Sequence, residues 1–240
     1  MRVASGLGDN WHMSSDETAP AVPSWVSKLG IVDRTSGIEK ARSSRQQLVD
    51  ATWTALTGFY EAGGATTANL LLLGLAARGL GLHDASVHAL ETDNPFAAFT
   101  LIRADAENAA TFMYAIDKPN TIDRLFGLGE HPIRLSTITN HAMQSPRSRF
   151  GEFSAVYDSL SAYAHPMPTS ILASATNVGE NGLRWCLEPA FKSDNDFLTA
   201  SGWIVEFAVA NTDLIEDFAQ DGSDDGEFIV LFGQDTSDRG

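Results

Sequence analysis

The stretch TDNPFAAFTLIRADAENAATFMYAIDKP, residues 92 to 119, constrains this chain more than any other. Asp93 or Asn94 is placed to accept a hydrogen bond from the free N–H groups that open a helix, and Pro95 suits its first turn. Apolar residues then recur at helical spacing to Ile116, where Asp117 and Pro119 end the run. At about 100° per residue, Phe96, Phe99, Arg103, Ala106, Glu107, Ala110 and Tyr114 fall in one arc. Most of that arc is apolar, but Arg103 and Glu107 are not. Four residues apart, they lie one above the other. Exposed, such a pair contributes roughly 0.3–0.5 kcal/mol; buried, each ion costs several kcal/mol unless hydrogen bonds satisfy it. The pattern predicts a packed helix that must supply partners for a guanidinium and a carboxylate.

A second helix offers them. RFGEFSAVYDSLSAYAHP carries Phe150, Phe153, Tyr157, Leu160 and Ala164 as an apolar stripe. Ser161 and His165 sit beside that stripe, again four apart, and Pro166 ends the helix at His165. Free carbonyls at a helix C-terminus favour a protonated imidazole. Packing of the two helices would bring Arg103, Glu107, Tyr157, Ser161 and His165 into one polar pocket. The alternative is structural, with the Arg–Glu pair joining helices and the histidine capping one.

The rest of the chain reads as further helices on short connections. One runs from about Ser36 to Ala62 and stops at Gly63 and Gly64. Thr66 or Thr67 caps ANLLLLGLAARGLGL, whose end Gly79 and Gly81 weaken. NTIDRLFGL forms a short helix, residues 132 to 143 another, and the last long helix opens at Ser193 or Asp194 and reaches about Gln220. The one β signal is SILASATNVGENGLRWCLEP. Ile171, Ala173 and Ala175 alternate on one side of Asn181–Gly182, Leu183, Trp185 and Leu187 on the other, and Asn-Gly favours a two-residue hairpin turn. The expected architecture is mainly α: an antiparallel helical bundle of six to seven helices with one β-hairpin insertion. A flexible leader over residues 1–23, with Met1 or Met13 as the start, precedes a single helical domain at 24–220 holding the hairpin at about 170–188. An acidic linker, DGSDDGE, and a short apolar segment, FIVLFG, make the tail at 221–240.

Composition narrows the function classes. The chain has 240 residues, 43% of them hydrophobic, and a net charge of −15. That charge disfavours a nucleic-acid backbone and favours a basic protein partner. The densest basic stretch, with Lys40, Arg42 and Arg45, reads as one solvated helix face. The most apolar run, residues 68–77, is far shorter than the roughly 20 residues of a membrane span. The single cysteine, Cys186, is expected to be small and inert, and excludes an intrachain disulfide, which fits a cytoplasmic location without membrane attachment.

The segments LIRADAENAATFMYAIDKP and YDSLSAYAHP resemble a bacterial family of uncharacterised helical proteins, marked by an Arg-x-x-x-Glu helix and a Tyr-x-x-Leu-Ser-x-x-x-His-Pro segment. That family is similar to the HEPN superfamily of helical bundles, which includes RNases, toxins and nucleotidyltransferase partners. The resemblance spans residues 50 to 215, matches Arg103, Glu107, Ser161 and His165 to the family's recurrent polar positions, and implies a role in bacterial defence or stress. RNase members carry an arginine, then four to six intervening residues, then a histidine. Upstream of His165 there is no such arginine. Arg78 with His83, Arg124 with His131 and Arg134 with His141 have the spacing; Arg134 and His141 fit it best, near one face of one helix.

No phosphate loop, dinucleotide fingerprint, zinc spacing or nucleophile elbow occurs, so no cofactor and no metal is expected. His83, Asp84 and His88 in HDASVH lack a further ligand and read as solvated surface. The expectation is therefore a HEPN-like protein with a polar Arg/Glu/Ser/His pocket, with placement at a homodimer interface and metal-independent RNase chemistry as two versions of it. The rivals are a non-enzymatic module whose acidic surface engages a basic protein, and a binder of small anionic ligands through Arg103.

Overall fold

The computed structural model describes residues 22–61, 66–125, 127, 131–145, 153–164, 175–177, 183–185 and 187–221. Among these residues the protein is mainly helical. The α-helices are α1 (Ser24–Lys28), α2 (Arg34–Glu61), α3 (Thr67–Glu91), α4 (Pro95–Asp117), α5 (Ile122–Leu125), α6 (Leu135–Ala142), α7 (Phe153–Ala164) and α8 (Asp194–Asp221). A 3-10 turn, Pro119–Thr121, links α4 to α5. The leader, Met13, the acidic linker and FIVLFG lie outside the described residues, apart from Val22 and Pro23 at the leader's end and Asp221 at the end of α8.

The capping residues act as their chemistry predicts, with adjustments. Thr66 accepts from the Asn69 amide at 3.2 Å and Asn94 from the Ala97 amide at 3.1 Å. Asp93 is not a cap: it takes φ 53 in the turn between α3 and α4. Helix α2 begins two residues before Ser36, because Asp33 accepts from the Ser36 amide at 2.7 Å while Ser36 Oγ accepts from the Asp33 amide at 3.0 Å. That reciprocal pair closes the helix start. Helix α6 spans less than residues 132–143, starting only after Arg134.

Gly79 and Gly81 do not end α3, which continues to Glu91. A Cβ on Gly79 would sit 3.3 Å from Asn108 Nδ2, so this glycine is a point of close helix contact rather than a break. By length and composition α3 is also apolar enough to cross a bilayer, which the shorter run at 68–77 is not. One face of it is buried on α2, α4 and α8.

The pairs α2/α3, α3/α4 and α4/α7 run antiparallel. Arg42 meets Glu91 and Arg45 meets Asp84 between α2 and α3. Asn108 of α4 donates to the Leu75 carbonyl of α3 at 3.1 Å. On α7, Tyr157 meets Arg103 and Tyr163 stacks on Phe99. Helix α8 departs from this scheme and runs in the same sense as α4: Phe191, just ahead of it, packs beside Phe99, and Asn211 further along it meets Asp105. It fills the groove between α2, α3 and α4 with Leu198, Ile204, Phe207 and Ile215. Small residues permit this approach: Ala98, Ala106, Ala109 and Ala110 of α4 are all fully buried.

The β signal reduces to two three-residue strands, β1 (Ala175–Asn177) and β2 (Leu183–Trp185), paired antiparallel. A two-residue turn at Asn181–Gly182 would pair Glu180 with Leu183. The ladder pairs Asn177 with Leu183 instead, so the expected turn and an insertion spanning 170–188 are not supported. Ala175 is buried, but Trp185 and Leu187 face solvent. Ile171, Ala173 and Cys186 lie outside the described residues.

Candidate functional site

Three of the five predicted pocket residues meet where α4 crosses α7. Arg103 Nη2 donates to the Tyr157 hydroxyl at 2.8 Å, and that hydroxyl donates to Glu107 Oε1 at 2.8 Å. Arg103 and Glu107 themselves approach to 3.3 Å, with each side chain 19% exposed. The guanidinium carbon also lies 4.9 Å from the Tyr157 ring centroid. One tyrosine thus serves both ions that the helical spacing placed together, which makes their burial tolerable. Burial raises the Tyr157 pKa, and the hydrogen bond from Arg103 opposes that rise. The phenol stays protonated at neutral pH and works as a latch rather than a base.

Ser161 does not join. Its hydroxyl donates to the Tyr157 carbonyl at 2.7 Å, back into its own helix. His165 lies outside the described residues. The cluster is therefore a guanidinium matched to its own carboxylate. An incoming anion would have to compete with Glu107 for Arg103.

The second candidate pair separates. Arg134 is exposed at the entrance of α6 and His141 is near its end, roughly 10 Å along the axis. His141 turns inward instead: Nε2 lies 2.8 Å from Asp117 Oδ2, and Tyr114 meets the imidazole edge-on at 5.2 Å. Ser145 Oγ donates to the same Asp117 oxygen at 2.9 Å. Serine and histidine share one carboxylate and are not bonded to each other, so this is not a nucleophile–base relay. It pins the end of α6 to the end of α4. Asp117 appeared in the sequence only as a helix breaker.

The HDASVH segment also departs from expectation. Asp84 and His88 are exposed, but His83 is buried, with Nε2 3.1 Å from Ser44 Oγ. Burial lowers its pKa, and nearby Asp84 partly opposes that. No group of three or more His, Cys, Asp or Glu side chains suited to a metal occurs among the described residues.

One cluster of buried polar groups was missed by the sequence reading. Asp105, Asn108 and Asn211 lie where α3, α4 and α8 meet. Asn211 Nδ2 donates to Asp105 Oδ1 at 3.0 Å and to the Phe207 carbonyl at 3.0 Å. Burial pushes the Asp105 carboxyl up to about 7, against the Asn211 hydrogen bond and the Arg78 charge. A signal was present: Ala98, Ile102, Asp105, Ala109 and Phe112 share one helical stripe, and only Asp105 in it is polar.

No protein-family model, curated protein sequence or solved structure matches this chain.

Proposed function

We propose that this protein is a non-enzymatic helical module that binds a basic protein partner through its acidic surface. The observation that carries the reading is the composition of α8. In 28 residues it holds seven carboxylates, Asp194, Asp196, Glu206, Asp213, Glu216, Asp217 and Asp221, and no lysine or arginine. Glu216, Asp217 and Asp221 crowd the end of the helix, where the backbone dipole already places partial negative charge. Local stability favours cations there, so their absence is consistent with selection for a negative face. The self-neutralised Arg103–Glu107–Tyr157 cluster speaks against the small-anion reading, because the guanidinium is already matched.

At the level of fold, we also propose the HEPN-like relationship. Its support is that the two segments carrying the resemblance pack on each other through Arg103, Glu107 and Tyr157.

The test titrates a fluorescein-labelled Arg-Gly repeat peptide into the full chain at 150 mM salt, beside a double variant Glu216→Gln, Asp217→Asn. Saturable binding, weakened in the variant and at higher salt, is the expected result. A wild-type chain that does not bind would overturn it. RNA is incubated in parallel with chelator present. Cleavage abolished by His141→Ala or His165→Ala in folded protein would replace this reading with a metal-independent RNase.

A further inference from the structure

The α3–α4 turn and the segment after β2 enclose an open cleft of about 790 Å³. Two large apolar side chains on it face solvent, Trp185 at 59% and Leu187 at 96% exposure. Its described lining carries two carboxylates, Asp93 and Glu188, and no lysine or arginine. Exposed aromatic and aliphatic surface is ordinarily unfavourable and marks contact sites.

The cleft has a built floor. Asp93 holds φ 53, which costs a non-glycine residue on the order of 1 kcal/mol, and surrounding bonds maintain it. Its Oδ1 accepts from Arg34 Nη1 at 3.0 Å and from the Phe191 amide at 3.3 Å. Arg34 also bonds Asp194 at 2.7 Å, which ties the starts of α2 and α8 to the same turn. Phe191 is in turn buried against Phe99 and Phe197. Asp93 and Arg34 are thus engaged with each other, while Glu188 is exposed at the cleft.

This lining selects by chemistry. With Asp93 already neutralised by Arg34, the exposed Glu188 carboxylate gives the cleft its negative wall and repels phosphates and carboxylates. An indole face attracts a cation, and a nearby carboxylate reinforces the attraction. Leu187 and Pro189 offer apolar surface to a methylene stem. A charged head on a flexible aliphatic stem is what lysine and arginine carry. We propose that this cleft receives a lysine or arginine side chain of the basic partner, with its stem along Leu187 and Pro189 and its head between Trp185 and Glu188. The inference rests on the binding reading above and adds where the partner is read and by which groups.

The experiment uses the same labelled Arg-Gly peptide and full chain at 150 mM salt, read by anisotropy. Trp185→Ala should weaken binding about tenfold, Glu188→Gln about threefold, and Trp185→Phe should retain most of the affinity. Trp185 is exposed, so its removal leaves the fold in place, checked by circular dichroism. Binding that is equal in wild type and Trp185→Ala would overturn this site and leave the acidic-surface reading standing. Absence of binding to wild type would overturn both. A wild-type chain that sediments as a dimer, and as a monomer when Trp185 is alanine, would assign the cleft to a second copy and overturn the proposal.

Discussion

Asp105 of α4 accepts a 3.0 Å hydrogen bond from Asn211 of α8 at a place where neither side chain reaches water, at 4% and 1% exposure. The carboxylate of Asp105 has no full counter-charge there. Asn211 supplies one N–H, and Arg78 acts on it only through space. This junction joins the first long helix read from the sequence to the last, and it has an energetic signature that can be measured.

The Asp105 carboxyl binds its proton more tightly in the folded chain, at about 7, than at its ordinary 3.8. Between those values the folded state holds more protons than the unfolded one. Its contribution therefore falls as pH rises from about 4 to 7, by a total on the order of 4 kcal/mol. Asp105→Asn keeps an oxygen for Asn211 and removes the charge. The variant should match wild type near pH 4 and exceed it clearly in melting temperature at pH 8. His83 contributes with the opposite sign, since burial lowers its pKa below 6.5 and stability is lost as pH falls through that region. Comparing Asp105→Asn with wild type at each pH cancels the histidine term. Equal melting temperatures at pH 8 would show that Asp105 ionises in the fold as readily as in the unfolded chain, so that its burial does not raise its proton affinity.

The α4–α7 latch predicts an order among substitutions. Tyr157→Phe removes the hydroxyl that serves both ions and should cost about 1–2 kcal/mol in urea unfolding. Arg103→Ala leaves Glu107 mostly buried, beside a phenol alone, and should cost more, about 2–3 kcal/mol. Arg103→Ala combined with Glu107→Gln should recover part of that loss, because the unmatched carboxylate is gone. A double variant as unstable as the sum of its parts would mean that the two residues do not interact.

Two glycines within helices should respond oppositely to alanine. Around Gly74 in α3 nothing lies within 4 Å of a Cβ, so Gly74→Ala should gain about 0.5–1 kcal/mol from helix propensity alone. Gly37 of α2 faces α8, where a Cβ would come within 2.7 Å of Ser201 Oγ and 3.1 Å of its Cβ. Ser201 is fully buried and bonded to the Phe197 carbonyl, so α2 and α8 must separate slightly to admit the methyl. Gly37→Ala should lower the melting temperature by several degrees, and thermal unfolding of the two variants side by side tests the contrast.

Much of the helical framework could be read from local chemistry. Asn94 before Pro95, Thr66 before the leucine run, and the four-residue step from Arg103 to Glu107 act over a turn or two, and the backbone answers to them directly. The tyrosine that serves Arg103 and Glu107 was also named, because its place on the stripe of α7 follows from the same period. Spacing along one helix fixes which residues share a face. It does not fix which helix covers that face, and several departures from expectation follow from this. Gly79 looked like a weak point until Asn108 was packed against it, His83 looked solvated until α2 covered it, and α8 turned out to run with α4 rather than against it. The short antiparallel ladder has a register other than the one a two-residue turn at Asn181–Gly182 would set. The amino-acid sequence by itself determined where helices start, stop and turn apolar, since those are interactions between near neighbours. Only tertiary contact decided which polar groups lost water, and so made Asp105 a proton-binding group and left Trp185 and Leu187 uncovered.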